Sequence, residues 1–340
     1  MKRILICLFM ACGALTPLRA NPLDPTLKSD ISVHDHYNLI IDFFQNEEWE
    51  KLVWQARVLM QDFPEAPFAK EVYYYMGVAY YQITDFEMSN DAFSNYLKEE
   101  MTPKFFDEVI RYKFEIACYF QEGTKRHLFH SKGLPKWAHG YEEAIEIFDE
   151  VVTTLPRDEM AAESLYRKGL LLLQLSEYKR SVDAFQTMIR RFPKNPLTPE
   201  CYLGIAQVYL TESQKEFADN NNLDLAEINL RKFRFHFPGE PRLEEAESML
   251  MGMKNVMAED LLEMGAFYQR TKHPEAAAIY YQTILKKYPD TKAAQHSRKE
   301  LKKLGLPETF SEMKQASDVA PKKGTEAIIV ESNEVVLETP

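Results

Sequence analysis

The side chains with the most obvious chemistry are a few histidines and cysteines. His34-x-His36, and His127-x-x-His130 with His139, put imidazoles at spacings a metal ion can use. A structural zinc site takes four ligands at fixed spacings, often with cysteine among them. Neither group brings a cysteine or a phased carboxylate, so both are expected to be solvent-facing polar loops with no metal. Cys118 and Cys201 fall in stretches expected to be helices of different repeats, too far apart to bridge. They read as small buried hydrophobes. No Gly-x-Ser-x-Gly, Walker loop, His-Glu-x-x-His or dinucleotide fingerprint occurs. Acidic pairs such as Glu142-Glu143 belong on exposed helix faces. The expectation is a chain that is not an enzyme and needs no cofactor.

Cys12 has a different chemistry. Lys2 and Arg3 precede the apolar run Ile4 to Ala11, which is shorter than the roughly 20 residues that span a bilayer. This is an export signal with two ways of being processed. Leu18-Arg19-Ala20 offers an ordinary cleavage site, so that residues 1–20 are the leader. Phe9-Met10-Ala11-Cys12-Gly13 resembles a bacterial lipobox, in which Cys12 takes the lipid, although Phe9 stands where Leu is usual. The polar, Pro-bearing run Thr16 to Ser32 favours the second reading, because an anchor would then lead into a flexible leash over 21–32.

The elements behind these residues are helical. The chain has 340 residues, 45% hydrophobic and 27% charged, with only 12 glycines and almost no alternation of β-branched and polar residues. A compact globule of this length would usually form two domains, whereas a repeat array runs through as one body. The formal net charge is −11 with no basic block in the mature region, which excludes a phosphate-backbone partner.

Internal periodicity decides the fold class. The tetratricopeptide pattern is about 34 residues long: a bulky residue, Leu-Gly and Tyr on one helix, a small residue and an aromatic on the next, then Pro. Tyr73, Met76-Gly77, Tyr80, Phe86, Ser89 and Phe93 follow it. So do Leu165, Lys168-Gly169, Leu172, Tyr178, Ser181, Phe185 and Pro193, and again Leu261, Met264-Gly265, Tyr268, Ala277, Tyr281 and Pro289. A first copy is degenerate (Tyr37, Ile40, Phe43, Leu52, Ala56, Pro64), and the third and fifth carry insertions at Glu122 to Gly140 and around Asp219 to Asn222. Aromatic-Pro pairs recur as helix stops, as at Phe63-Pro64, Phe192-Pro193, Phe237-Pro238 and Tyr288-Pro289. The expected fold is all-α, a tetratricopeptide-repeat solenoid of about six helix pairs over 33–305. Residues 306–340 form an acidic tail expected to be disordered. Its apolar patch Ala327-Ile328-Ile329-Val330 has the character to add as a strand to a partner.

From Pro193 to Leu304 the chain resembles the BamD family, lipoproteins of the outer-membrane β-barrel assembly machinery. Lys254 to Tyr268, Pro274-Glu275-Ala276-Ala277 and Tyr288-Pro289-Asp290-Thr291 look like that family's final repeat, and the Asn-rich insertion sits where the family has a polar loop. Val256 stands where relatives often carry Arg, so a charged contact to the barrel subunit is not carried over. The lipobox, the number of repeats and the long tail also depart from the family's pattern. The resemblance implies a scaffold on the periplasmic side of the outer membrane. It would brace the barrel-forming subunit, help recruit unfolded outer-membrane proteins and meet other assembly lipoproteins. The alternative is a periplasmic repeat adaptor serving envelope constriction or a secretion or pilus pore.

In such arrays the first helix of each pair lines an inner wall. The register puts Tyr37, Ile41 and Phe44, then Tyr74, Val78 and Tyr81, then Ala117 and Phe120 there. These form an expected trough for an extended peptide with aromatic side chains. The equivalent places in the sixth unit, Glu259, Leu262, Ala266 and Gln269, are smaller and more polar. The opposite outcome is that these rings pack against neighbouring helices and leave no open wall.

Overall fold

The computed structural model describes residues 32–66, 68–99, 103–127, 136–215 and 221–309. Among the described residues the helices are α1 (Val33–Gln45), α2 (Trp49–Asp62), α3 (Ala69–Gln82), α4 (Phe86–Glu99), α5 (Phe106–Gln121), α6 (Tyr141–Thr154) and α7 (Glu159–Gln174). They continue with α8 (Tyr178–Arg191), α9 (Thr198–Ser213), α10 (Asn221–His236), α11 (Arg242–Arg270), α12 (Pro274–Lys287) and α13 (Lys292–Leu304). The insertion after α5 carries two short antiparallel strands, β1 (Lys125–His127) and β2 (Lys136–His139), where only loop was expected. The chain divides at Gly140 into two compact units. The first holds α1 to α5 with the strand pair, and the second holds α6 to α13. The two helices expected to form a third hairpin thus belong to different units, and α6 packs on α7 instead.

The hairpins repeat one piece of stereochemistry. Gly77 of α3, Gly169 of α7 and Gly265 of α11 each lie under the aromatic ring 16 positions later: Phe93, Phe185 and Tyr281. A Cβ at Gly169 would stand 2.5 Å from Phe185 Cε1, and one at Gly265 would stand 2.5 Å from Tyr281 Cε1. Glycine is therefore required by the approach of the second helix, not by its backbone angles. Each helix pair turns on a residue with left-handed φ seven positions after that glycine: Thr84 (60°), Ser176 (63°) and Lys272 (62°). In two of the pairs a serine also ties the helices, Ser89 Oγ donating to Gly77 O at 2.8 Å and Ser181 Oγ to Gly169 O at 2.7 Å.

The first pair keeps the frame with the volumes exchanged. Its left-handed turn residue is Glu47 (56°), so the glycine position falls on Ile40 and the aromatic position on Ala56, both fully buried. Bulk has moved from the second helix to the first, which conserves the total volume between them.

Helix stops follow from the residue before proline, whose α conformation is sterically disfavoured. Phe63, Phe192 and Tyr288 close α2, α8 and α12 at φ/ψ of −135/58°, −127/56° and −131/52°, and Leu155 before Pro156 closes α6 at −122/63°. No proline interrupts 242–270, and α11 runs unbroken for 29 residues, starting well before the repeat pattern that begins at Leu261. Glu247 of its first half takes an ion pair from Arg234 of α10 at 2.6 Å, and Lys254 gives one to Glu227 of α10 at 2.9 Å. Its second half carries Gly265 under Tyr281 of α12. The solitary α13 ends on Gly305 in the left-handed conformation (φ 66°), with Gln282 Nε2 donating to Pro307 O at 2.7 Å just beyond.

Candidate peptide-binding surface

The first unit is dense in aromatic rings, and their packing determines which remain available. Tyr74 stacks on Phe105 with ring centres 4.0 Å apart and planes at 13°, and its ring also meets Tyr75 and Tyr96. Tyr37 and Phe44 of α1 lie edge-on to Tyr75 of α3, at 6.4 and 5.1 Å. Tyr81 contacts Phe86 and Tyr112 and donates its hydroxyl to Glu115 Oε2 of α5 at 2.6 Å. Such edge-on and offset pairs add about 0.5–1.5 kcal/mol each beyond burial. The aromatics are chiefly the mortar between α1, α3 and α5.

This sorts the seven expected groove residues. Tyr74, Val78 and Phe120 are buried among the unit's own helices and line no open wall, which corrects their assignment to a trough. Ala117 is fully buried as well. Tyr37, Ile41, Phe44 and Tyr81 are half-buried and keep part of each side chain in solvent. On α5 the register is displaced: Tyr112, Glu115 and Tyr119 present accessible surface, and Tyr119 is 40% exposed. Their spacing of three, four and seven places them on one face, a signal present in the sequence but masked by the pattern's weak fit at this helix.

The accessible edge is acidic as well as aromatic. Burial, and then the bond to Glu115, hold the Tyr81 phenol well above its ordinary pKa. Burial and then Glu108 do the same for Tyr74, and burial and then Glu108 and Glu115 for Tyr112. The Tyr81 and Tyr74 hydroxyls remain neutral donors to Glu115 and Glu108, and the Tyr112 phenol lies in the field of both carboxylates. Behind them Lys113 is fully buried, its Nζ donating to Asn90 Oδ1 at 2.9 Å and Ser94 Oγ at 2.6 Å.

The second unit has its own concave place. Leu262, Ala266 and Gln269 of α11, Tyr281 of α12, and His296 and Glu300 of α13 line an open cleft of about 500 Å³. Tyr281 Oη donates to Gln269 Oε1 at 2.7 Å, Gln269 Nε2 donates to Glu300 Oε2 at 3.2 Å, and Lys303 Nζ donates to Glu300 Oε1 at 2.6 Å. That lysine is the main reason the Glu300 carboxyl is held below the usual range. The cleft is a fixed polar ladder beside two aliphatic side chains. Three of the four positions expected on the sixth unit's inner wall line it, and Glu259 does not.

The other expected residues separate widely. His36 is buried and hydrogen-bonded with Gln55 of α2, while His34 lies against the Phe68 ring at 4.9 Å. Among the described residues no group of three or more His, Cys, Asp or Glu is gathered as a metal ion would require. Burial raises the Cys201 thiol to about 12. Cys12 with the rest of residues 1–31, His130, and residues 310–340 with Ala327 to Val330 lie outside the described residues. No helix among the described residues is long and apolar enough to cross a membrane.

Paired helices, glycine-aromatic contacts at a constant offset and equivalent left-handed turns define an all-α tetratricopeptide-repeat solenoid, a protein-interaction module by architecture. Comparison with known proteins supports that class: residues 163–195 match the tetratricopeptide-repeat family. Residues 212–315, from the end of α9 past α13, match the YfiO family, described as an outer membrane lipoprotein. No curated protein matches the chain. Among solved structures, YrrB, a tetratricopeptide protein with an unusual peptide-binding site, is similar at 12% identity and a TM-score of 0.34, covering 64% of this chain and 92% of its own. A tetratricopeptide protein from Parabacteroides merdae shares 15% identity at a TM-score of 0.33, over 80% of this chain and 98% of its own. PilF of Pseudomonas aeruginosa shares 14% at 0.28, over 79% and 97%. At such scores these likenesses carry no functional argument.

Proposed function

We propose that the chain is a non-enzymatic adaptor of outer-membrane β-barrel protein assembly, held on the periplasmic side of the outer membrane by a lipid on Cys12. The match of residues 212–315 to an outer-membrane lipoprotein family carries this reading, because it covers the same helices in which the BamD resemblance is densest. The leader and the leash over 21–32 fit a tethered body. Its partners in this reading are a barrel-forming subunit with periplasmic domains, unfolded outer-membrane proteins and other assembly lipoproteins.

Peptide capture falls to the first unit. Tyr37, Phe44 and Tyr81, joined by Tyr112 and Tyr119, offer partial aromatic faces, and Ile41 an aliphatic one, beside Glu108 and Glu115. Burying two such faces contributes a few kcal/mol, on the order of 25 cal/mol per Å², which suits weak and releasable binding. The acidic rim favours segments that bring aromatic side chains together with Lys or Arg.

Affinity isolation of the full-length protein from envelope extracts tests the reading. Recovery of a barrel protein with tandem periplasmic domains supports it. Recovery of cell-wall or pilus proteins instead would transfer the chain to envelope constriction or a secretion pore. Incorporation of labelled palmitate that is lost in Cys12→Ala tests the anchor.

A further inference from the structure

The outward face of α10 carries three large apolar side chains among its charges, where a solvated helix should be polar. Its inward residues, Leu223, Ala226, Leu230 and Phe233, are buried in the second unit, as the 3.6-residue period requires. On the opposite side Leu225 is 44% exposed, Ile228 39% and Phe235 80%. Ile228 and Phe235 are separated by two helical turns, so with Leu225 they form a stripe of roughly 15 Å. A shallow hollow lined by Ile228, Arg231, Lys232 and Phe235 lies along it. Neighbouring charges are committed elsewhere, Glu227 to Lys254 and Arg234 to Glu247. Arg231 and Lys232 form no ion pair among the described residues, and both are exposed. Asp224 sits one helical turn before Ile228, outside the hollow.

We infer that this face is the docking site of the chain's own C-terminal segment Glu326-Ala327-Ile328-Ile329-Val330-Glu331. Three properties fit that occupant, which is the longer of the tail's two glutamate-bracketed apolar runs. Its branched apolar core is bracketed by two glutamates, the complement of a stripe beside Arg231 and Lys232. Extended at about 3.3 Å per residue, six residues span about 16–20 Å, the length of the stripe. From Thr309, where description ends, 18 residues lead to Ala327 and reach up to about 60 Å. A compact unit of this size has a radius of gyration of only roughly 15 Å. Tethering supplies an effective concentration in the millimolar range, so a weak contact suffices to keep the face covered. The tail thereby shields an adhesive helix and yields it to any partner that binds the same face more tightly.

Carbodiimide coupling of the full-length protein tests this, because the reagent joins a lysine to a carboxylate only in direct contact. Equal amounts of ¹⁴N- and ¹⁵N-labelled chains are mixed before coupling and mapped by mass spectrometry. The expected product links Lys232 to Glu326 or Glu331 within one chain. Its yield falls about tenfold in Phe235→Ser and in the Ile328→Ser, Ile329→Ser variant, each of which removes exposed or tail apolar surface. Phe235 is on the surface, so circular dichroism of that variant stays unchanged. Absence of the product, a yield indifferent to both variants, or links joining light to heavy chains would each overturn the inference, the last by assigning the stripe to a second copy.

Discussion

The Phe185 ring is clamped between two glycines, and Gly169→Ala probes that clamp directly. A methyl at position 169 would meet Phe185 Cε1 at 2.5 Å, against an ordinary carbon–carbon contact of roughly 3.5–4.0 Å. The ring cannot retreat, because Gly204 of α9 lies on its other side, where a Cβ would come within 2.8 Å of Cζ. Phe185 is fully buried, so no solvent space receives it. Overpacking of this kind costs about 1–3 kcal/mol, and the clamp places the site at the upper end. Alanine returns about 1 kcal/mol of helix propensity relative to glycine. The net loss of about 2 kcal/mol corresponds to a melting temperature lower by about 4–8 °C for a unit of this size. Calorimetry should resolve that loss, and Phe185→Leu in the same background should restore part of it. Gly252→Ala is the internal control. Its methyl would approach only Leu210 Cδ1, at 3.2 Å, the end of a flexible side chain, so propensity should win and stability hold or rise. Equal melting temperatures for the two variants would refute the reasoning.

Further outcomes follow from other contacts. In the first pair, Ile40→Gly should cost about 3–5 kcal/mol through a cavity and lost propensity, and adding Ala56→Phe should recover part of it, read by urea denaturation. Tyr74→Ala should destabilise the first unit by about 3–5 kcal/mol because it removes a fully packed ring, whereas Tyr119→Ala should leave the fold intact and weaken capture of an aromatic, basic peptide in fluorescence titration; the reverse pattern would return Tyr74 to the binding wall. Cys201 ionises near 9.0 when unfolded and at about 12 when folded, so its contribution to stability is complete below pH 9 and declines as pH rises from there to 12. Between pH 9 and 11 the Cys201→Ala variant should therefore lose less stability than the parent, and in the parent at pH 8 a thiol reagent should label Cys201 only on unfolding.

The sequence displays whatever close packing forces on residue type. Gly77, Gly169 and Gly265 are legible because no other residue admits the ring above them, and Phe192 and Tyr288 because proline forbids another turn. Which side of an aromatic helix remains open is not encoded that way. Tyr74 and Tyr81 occupy equivalent-looking positions, yet Phe105 stacks flat over one, while Tyr112, Tyr119, Phe86 and Glu115 border the other and leave it half-buried. That difference arises from α5, whose face follows no repeat pattern and was misplaced from Tyr119 to Phe120. The extent of α11 was legible in principle, since no proline between Pro241 and Pro274 breaks a helix, although the repeat pattern marks only its second half, at Leu261, Met264-Gly265 and Tyr268.

That uninterrupted α11 has a mechanical consequence. At 1.5 Å per residue its 29 residues make a rod about 43 Å long, shared by α9 and α10 along one half and by α12 and α13 along the other. Two successive hairpins fastened to one beam have no joint at which to part. Heat or a pulling partner must therefore release residues 198–304 together, and hydrogen exchange there should follow a single opening event rather than a peeling from the C-terminal end.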